Sequence, residues 1–204
     1  MKLSSWLLPV ITIFGLNAAA FAQEDNNTDK KQDIGHVYIN ADLAFFNDAE
    51  LESGNGKIKE NGDFGDFGYN LAAGYEFNTH RDVKLGVEIE YRHFGTVQYA
   101  DLVDADGDAV FFNIKPRFIK HYKQVDAYVS LIGGIGHLDF ELENTSTGAS
   151  ASASKGGFQY GAEIGVAFRN NMSLHAGYRI AQAQDVEDID ITVSTGYIGI
   201  GYQF

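Results

Sequence analysis

Val83-Lys-Leu-Gly-Val-Glu-Ile-Glu-Tyr-Arg92 alternates without a break: Val83, Leu85, Val87, Ile89 and Tyr91 share one side of an extended chain, and Lys84, Gly86, Glu88, Glu90 and Arg92 the other. The period predicts a strand with one apolar and one polar face. Its length is what a tilted strand needs to cross a bilayer core, about nine to eleven residues. Working outward, Tyr69, Leu71, Ala73, Tyr75 and Phe77 oppose Asn70, Ala72, Gly74 and Glu76, while Val110, Phe112, Ile114, Pro116 and Phe118 oppose Asn113, Lys115 and Arg117. Further on, Val125, Ala127, Val129 and Leu131 oppose Asp126, Tyr128 and Ser130, and Phe158, Tyr160, Ala162, Ile164, Val166 and Phe168 oppose Gln159, Gly161, Glu163, Gly165 and Arg169. Two weaker segments run over Val37 to Phe45 and Met172 to Ile180, their polar faces carrying His36, Asn40 and Asp42 in one and Ser173, His175, Gly177 and Arg179 in the other. The last residues, Tyr197-Ile-Gly-Ile-Gly-Tyr-Gln-Phe204, place Ile198, Ile200, Tyr202 and Phe204 together and make the eighth segment.

The connections alternate in length. Residues 78–82, 120–124 and 170–171 are short polar turns, whereas 47–66, 95–108, 141–157 and 183–191 are long. An up-and-down barrel with both termini on the periplasmic side has this order, with its long loops outward. A lipocalin-like soluble barrel shares the alternation but has a polar exterior. Here the polar face interleaves glycine and alanine with Glu88, Glu90, Arg92, Lys115, Arg117, Asp126, Glu163 and Arg179, mixed signs suited to pairing in a narrow lumen. The apolar faces carry almost no charge, which near a bilayer midplane would cost about 2–4 kcal/mol per residue. The expected fold is therefore all-β, an eight-stranded antiparallel transmembrane up-and-down β-barrel.

At the start, Lys2, an apolar stretch from Trp6 to Leu16 and Ala18-Ala-Ala-Phe-Ala22 read as a signal peptide, residues 1–22, cleaved after Ala22. A flexible polar tail over 23–33 and the barrel over 34–204 follow. Cleavage leaves 182 residues (204 less 22) with a formal charge of −14, the chain's −13 less Lys2. So acidic a chain lacks the basic patches that nucleic acid or anionic lipid require. It has no cysteine for a disulfide or a lipid anchor.

The segment Asn170-Asn-Met-Ser-Leu-His-Ala-Gly-Tyr-Arg179, its acidic loop and the closing Gly-Tyr-Gln-Phe204 resemble the last hairpin of the small outer-membrane β-barrel families, the opacity-protein, OmpX-like and OmpA-barrel group often labelled porin family. The resemblance implies export to the outer membrane of a Gram-negative bacterium. It also implies insertion by the barrel assembly machinery, with Tyr202 and Phe204 as the assembly signal. Pro116, inside the fourth segment, predicts a bulge or a shortened strand, because a closed sheet has no edge to tolerate a missing N–H.

The lumen charges, Glu88, Glu90, Arg92, Lys115, Arg117, Asp126, Glu163 and Arg179, read as a paired network, since eight strands enclose only enough space for their own side chains. A narrow passive pore is the alternative. Asp101, Asp104, Asp106 and Asp108 alternate in a stretch expected to be an outer loop, yet the glutamate of a calcium-binding loop is missing, and a solvated acidic loop is the reading, with Asp104, Asp106 and Asp108 weak metal candidates. The 185–190 stretch is read the same way. Both acidic stretches are also placed to meet divalent cations at a lipopolysaccharide surface. A lipid A-modifying enzyme needs serine, histidine and acid within reach of substrate. Ser173 and His175 lie two apart on the lumen face, in the reverse of the outer-membrane deacylase order, and have no evident third partner. Asp63-Phe-Gly and Asp66-Phe-Gly copy a kinase tripeptide without other kinase motifs, Gly133-Gly-Ile-Gly136 sits on a strand and marks a bend or a crowded lumen, and residues 145–154 form a Ser/Ala/Thr-rich loop. The functional expectation is a monomeric structural or surface-interaction protein, not an enzyme and without cofactor. Its partners are outer-membrane lipid or lipopolysaccharide and a host or surface ligand at the outer loops.

Overall fold

Alternating segments of this kind pair by register, and the computed structural model shows the ladder that results. Along the chain run β1 (Gly35–Ser53), β2 (Gly56–Ile58), β3 (Tyr69–His80), β4 (Val83–His93), β5 (Val97–Tyr99), β6 (Val103–His121), β7 (Val125–Asn144), β8 (Ser150–Phe168), β9 (Met172–Val186) and β10 (Ile189–Gln203). The structure describes residues 34–53, 56–58, 68–95, 97–99, 103–144, 150–186 and 189–204. The expected leader and tail lie outside them. Eight strands pair antiparallel in the order β1-β3-β4-β6-β7-β8-β9-β10, and β10 returns to β1 to close the barrel. The two short strands β2 and β5 pair antiparallel with the end of β1 and the start of β6. Closure runs from Tyr38↔Gln203 to Ser53↔Ile189, and the Phe204 amide donates to the Val37 carbonyl at 2.9 Å. The terminal aromatic strand is thus the partner of the first.

Through the girdle the apolar faces point outward. Ile135, Ile164, Ile200, Leu71, Phe112 and Leu174 are among many large hydrophobics left more than a third exposed, while Glu90, Arg92 and Asn113 inside are wholly covered. Such inversion of the usual distribution is stable only where the surroundings are apolar. On β6 the outward apolar row is Val110 to Phe118, nine residues long. Aromatic residues flank the band: Tyr75, Phe77, Phe118, Phe168, Tyr202 and Phe204 at the end with the short turns, called inner here, and Phe46, Tyr69, Tyr91, Phe158 and Tyr178 toward the outer end. No charged residue faces outward between these belts among the described residues.

Two expectations about the strands are corrected. Pro116 neither bulges nor shortens β6, which runs unbroken through it. The β6–β7 ladder skips Lys115 and Pro116 and resumes in the same register, Ile114↔Gly133 before and Arg117↔Ser130 after, while Leu85↔Pro116 holds on the β4 side. The missing donor costs pairing on one side only. A bulge occurs instead in β1, where Ala44↔Tyr197 is followed by Phe46↔Gly196 and the extra residue leaves both Phe45 and Phe46 on the outer surface. The second correction concerns the long connections. Much of them is strand: β1 reaches Ser53, β6 begins at Val103, and β7 and β8 pair from Glu143↔Ser150 downward. Residues 150–154 of the small-residue stretch therefore belong to β8, and residues 145–149 lie outside the described chain.

Glycine on the inner face has a packing role that shows in the register. Gly177 lies opposite Tyr197, Gly199 opposite His175, Gly165 opposite Tyr128 and Gly161 opposite Arg179. A Cβ at Gly177 would collide with the Tyr197 ring and hydroxyl, and one at Gly199 with the Asp42 carboxylate and the His175 ring. Small opposite large is how so narrow a barrel accommodates its charged side chains.

Candidate functional site

The inward positions of neighbouring strands put the polar side chains within reach of one another. Arg179 stands at the centre: Nη1 donates to Glu90, Nη2 to Asp42 Oδ2 at 3.1 Å, and the guanidinium lies 4.0 Å from the Tyr197 ring centre. Asp42 also meets His175 Nε2 at 2.7 Å. Lys115 Nζ donates to Glu163 Oε2 at 2.9 Å, which also accepts from the Tyr197 hydroxyl at 3.1 Å. Asn113 donates to Glu88 at 3.1 Å and to Glu90 at 2.7 Å, the Tyr38 hydroxyl to Glu88 at 2.7 Å, and Gln159 to Glu90 at 2.7 Å. Above them Arg92 donates to Gln159 at 2.9 Å and to Thr195 at 2.7 Å. At the inner end Glu76 is shared by Arg117 at 2.7 Å and by Lys84 and His36 at 3.1 Å each. The carboxylates Asp42, Glu76, Glu88, Glu90 and Glu163 are thus matched by Lys84, Arg92, Lys115, Arg117 and Arg179. Charges so enclosed persist only when paired and hydrogen-bonded.

Above the charged tier the inward faces turn apolar. Phe94, Ala109, Phe111, Leu138, Ala181, Ala183 and Val193 form one buried cluster, with Phe140, Ala153 and Ile191 packed against it. Arg92 lies under it, 4.7 Å from the Phe94 ring centre, and Phe94 stacks on Phe140 with ring centres 6.3 Å apart. The lumen is therefore covered by an apolar plug at its outer end. At its inner end it opens into a cavity of about 190 Å³ lined by Lys84, Arg117, Tyr128, Arg169, Asn171 and Gln203, among others.

Outside, the walls rise past the apolar band and become acidic. Asp106 and Asp108 on β6 stand opposite Glu141 and Asp139 on β7. Asp108 accepts from the Tyr91 hydroxyl at 2.7 Å and meets His93 Nδ1 at 2.9 Å. His137 and Asp139 both contact Ser154 across the β7–β8 pair.

In the structure Glu88, Glu90, Arg92, Lys115, Arg117, Glu163 and Arg179 are buried inside the barrel. Asp126 stands apart, at the inner mouth, 3.0 Å from His121 Nδ1 and 3.9 Å from Arg169. Asp104, Asp106 and Asp108 are on strand β6 rather than in a loop, Asp101 lies outside the described residues, and among the described residues no three His, Asp or Glu gather to hold a metal. The acidic 185–190 stretch is likewise mostly strand, Asp185 lying in β9, which ends at Val186, and Asp190 in β10, which starts at Ile189, with 187–188 undescribed. Ser173 and His175 face the lumen, where the acid at His175 is Asp42. Sequence reasoning left Asp42, Glu76 and His175 out of the network although it placed them on polar faces. It left out the plug altogether, because most of its residues fall at the margins of the alternating segments, and Phe111, inside one, stands on the face opposite its apolar row.

A family model described as "Outer membrane protein beta-barrel domain" matches residues 7–204. Among solved structures, Neisserial surface protein A is similar at 17% identity, over 82% of this chain and 97% of that one, with a TM-score of 0.51. The attachment invasion locus protein Ail of Yersinia pestis is similar at 21% identity, over 83% and 99%, with a TM-score of 0.49, and the N-terminal barrel of Pseudomonas aeruginosa OprF at 13%, over 83% and 99%, with 0.46. A search among curated proteins finds no match. With an apolar girdle, a polar lumen and a family model that spans nearly its whole length, the chain belongs to the outer membrane protein β-barrel family.

Proposed function

We propose that the protein is a surface-interaction component of the outer membrane, acting through the strands that rise above its apolar girdle. The observation that carries this reading is the division of the molecule: the lumen is filled and plugged, while Asp106, Asp108, Asp139 and Glu141 stand on ordered walls outside it. A plugged lumen of paired charges supports neither conduction nor substrate entry. Lipopolysaccharide, itself anionic, is the first partner such walls meet, through divalent cations between the two, and a basic host or environmental surface is the second, drawn by the acidic face. Tyr202 and Phe204, edge to face at 5.0 Å, serve as the signal to the assembly machinery. Deleting Phe204 should lower the assembled, heat-modifiable form while export continues.

The direct test compares cells that display the chain with cells that display D106N/D108N/D139N/E141Q at equal surface level. Binding to cultured epithelial cells or to a basic protein film should fall several-fold in the variant. Unchanged binding contradicts the reading. Unaltered lipid A masses on overexpression are the outcome that accords with a protein that is not an enzyme.

A further inference from the structure

The charges of this barrel are unevenly distributed along its axis. The chain carries −13 and its outer walls are acidic, yet the inner end gathers cations. Arg81, Lys120, Lys123 and Arg169 are exposed in or beside the inner turns, with Asp82 as the exposed carboxylate among them. Inside the mouth, Lys84 and Arg117 both rest on one carboxylate, Glu76, which leaves a positive excess where the cavity begins. Of the three donors of the Lys84 ammonium, Glu76 accounts for one. Arg117 is held over Tyr128, its guanidinium carbon 4.3 Å from the ring centre and its Nε 3.4 Å from Ser130 Oγ. Arg169 is braced by the Tyr122 carbonyl at 2.9 Å, and Asn171 is fixed in a left-handed conformation, φ 66°. These groups line the same cavity with Gln203, and Asp126, already engaged by His121, is the carboxylate among them.

We propose that this inner mouth is a binding site for an oxyanion, a phosphate or carboxylate group, that enters from the periplasmic side and stops there. Three cations and two side-chain amides around a concave opening fit that chemistry, and converging walls of low dielectric focus the field. Its volume of about 190 Å³ admits a single anionic group or the acidic end of a chain, not a polymer. The charge network and the plug above it prevent passage, so occupancy is binding and not transport.

The test is an NMR titration of the refolded full chain in detergent with inorganic phosphate at pH 8 and constant ionic strength. Saturable shifts should centre on Gln203, Asn171 and the amides around Tyr128. K84Q/R169Q should weaken binding at least tenfold while heat-modifiable migration shows the barrel intact, and K120Q/K123Q should weaken it less than twofold. Shifts that never saturate, or an equal loss in K120Q/K123Q, mean diffuse screening by surface charge and overturn the proposal.

Discussion

Arg179 shows what a single lumen residue contributes. Its guanidinium engages Glu90 and Asp42 and covers the Tyr197 ring, all three buried. Replacing it by leucine strands two carboxylates, and Arg179→Leu should destabilise the barrel by about 3–5 kcal/mol in denaturant titration. Gly177→Ala should cost about 1–3 kcal/mol by the same measurement, because its methyl displaces the Tyr197 ring. His121, the last residue of β6, is beyond the apolar band, where the Arg81 carbonyl lies 3.1 Å from Nε2 and Asp126 3.0 Å from Nδ1. Both acceptors can be satisfied only when both ring nitrogens carry protons, so the Arg81 carbonyl first and Asp126 second raise its pKa. A raised folded pKa favours the fold fully below the ordinary imidazole value, and the contribution is lost as pH rises through the raised one. A proton NMR titration should place His121 above an ordinary histidine, and Asp126→Asn should bring it down. At this scale the charges of the lumen were legible, since Glu88, Glu90 and Arg92 share a face by period alone. Their partners were not: that Tyr197 packs over Arg179 and opposite Gly177 depends on register between strands, which no local period encodes.

The strands themselves were legible at their apolar girdle and illegible above it. Val110 to Phe118 announces β6 because lipid imposes strict alternation, but its first residues, Val103 to Gly107, sit among aspartates that ordinarily disfavour strands. Ser150 to Ser154 reads as low complexity, yet Ser150 to Gly156 is strand, held by pairing with β7 alone, since the β8–β9 ladder begins only at Gly157↔Ala183. Tertiary pairing overrides weak propensity there. Amide exchange is the check: the β7-facing amides of Ser150 to Gly156 should exchange about tenfold or more slowly than those facing away, whereas a mobile loop would show no alternation. Pro116 teaches the converse. Its missing donor suggested a defect in the strand, yet the ladder closes around it in register, so Pro116→Ala should change stability by no more than about 1 kcal/mol in denaturant titration.

For the molecule as a whole, one inversion organises everything else: grease outside, paired charge inside, a plug of Phe94, Phe111 and Leu138 above, and an open cationic mouth below. The girdle and the even number of strands were readable from alternation and loop order. The plug was hidden, because an apolar residue every second position in an acidic or small-residue stretch looks like chance until the strands are seen to converge. The plug is also where a closed barrel and a pore differ. Single-channel recording in planar bilayers decides between them. The account predicts no discrete conductance steps from the folded chain, with Phe111→Ser/Leu138→Ser the first variant in which any could appear. Steady channels from the native protein, abolished by reversing the charge at Arg117, would contradict it.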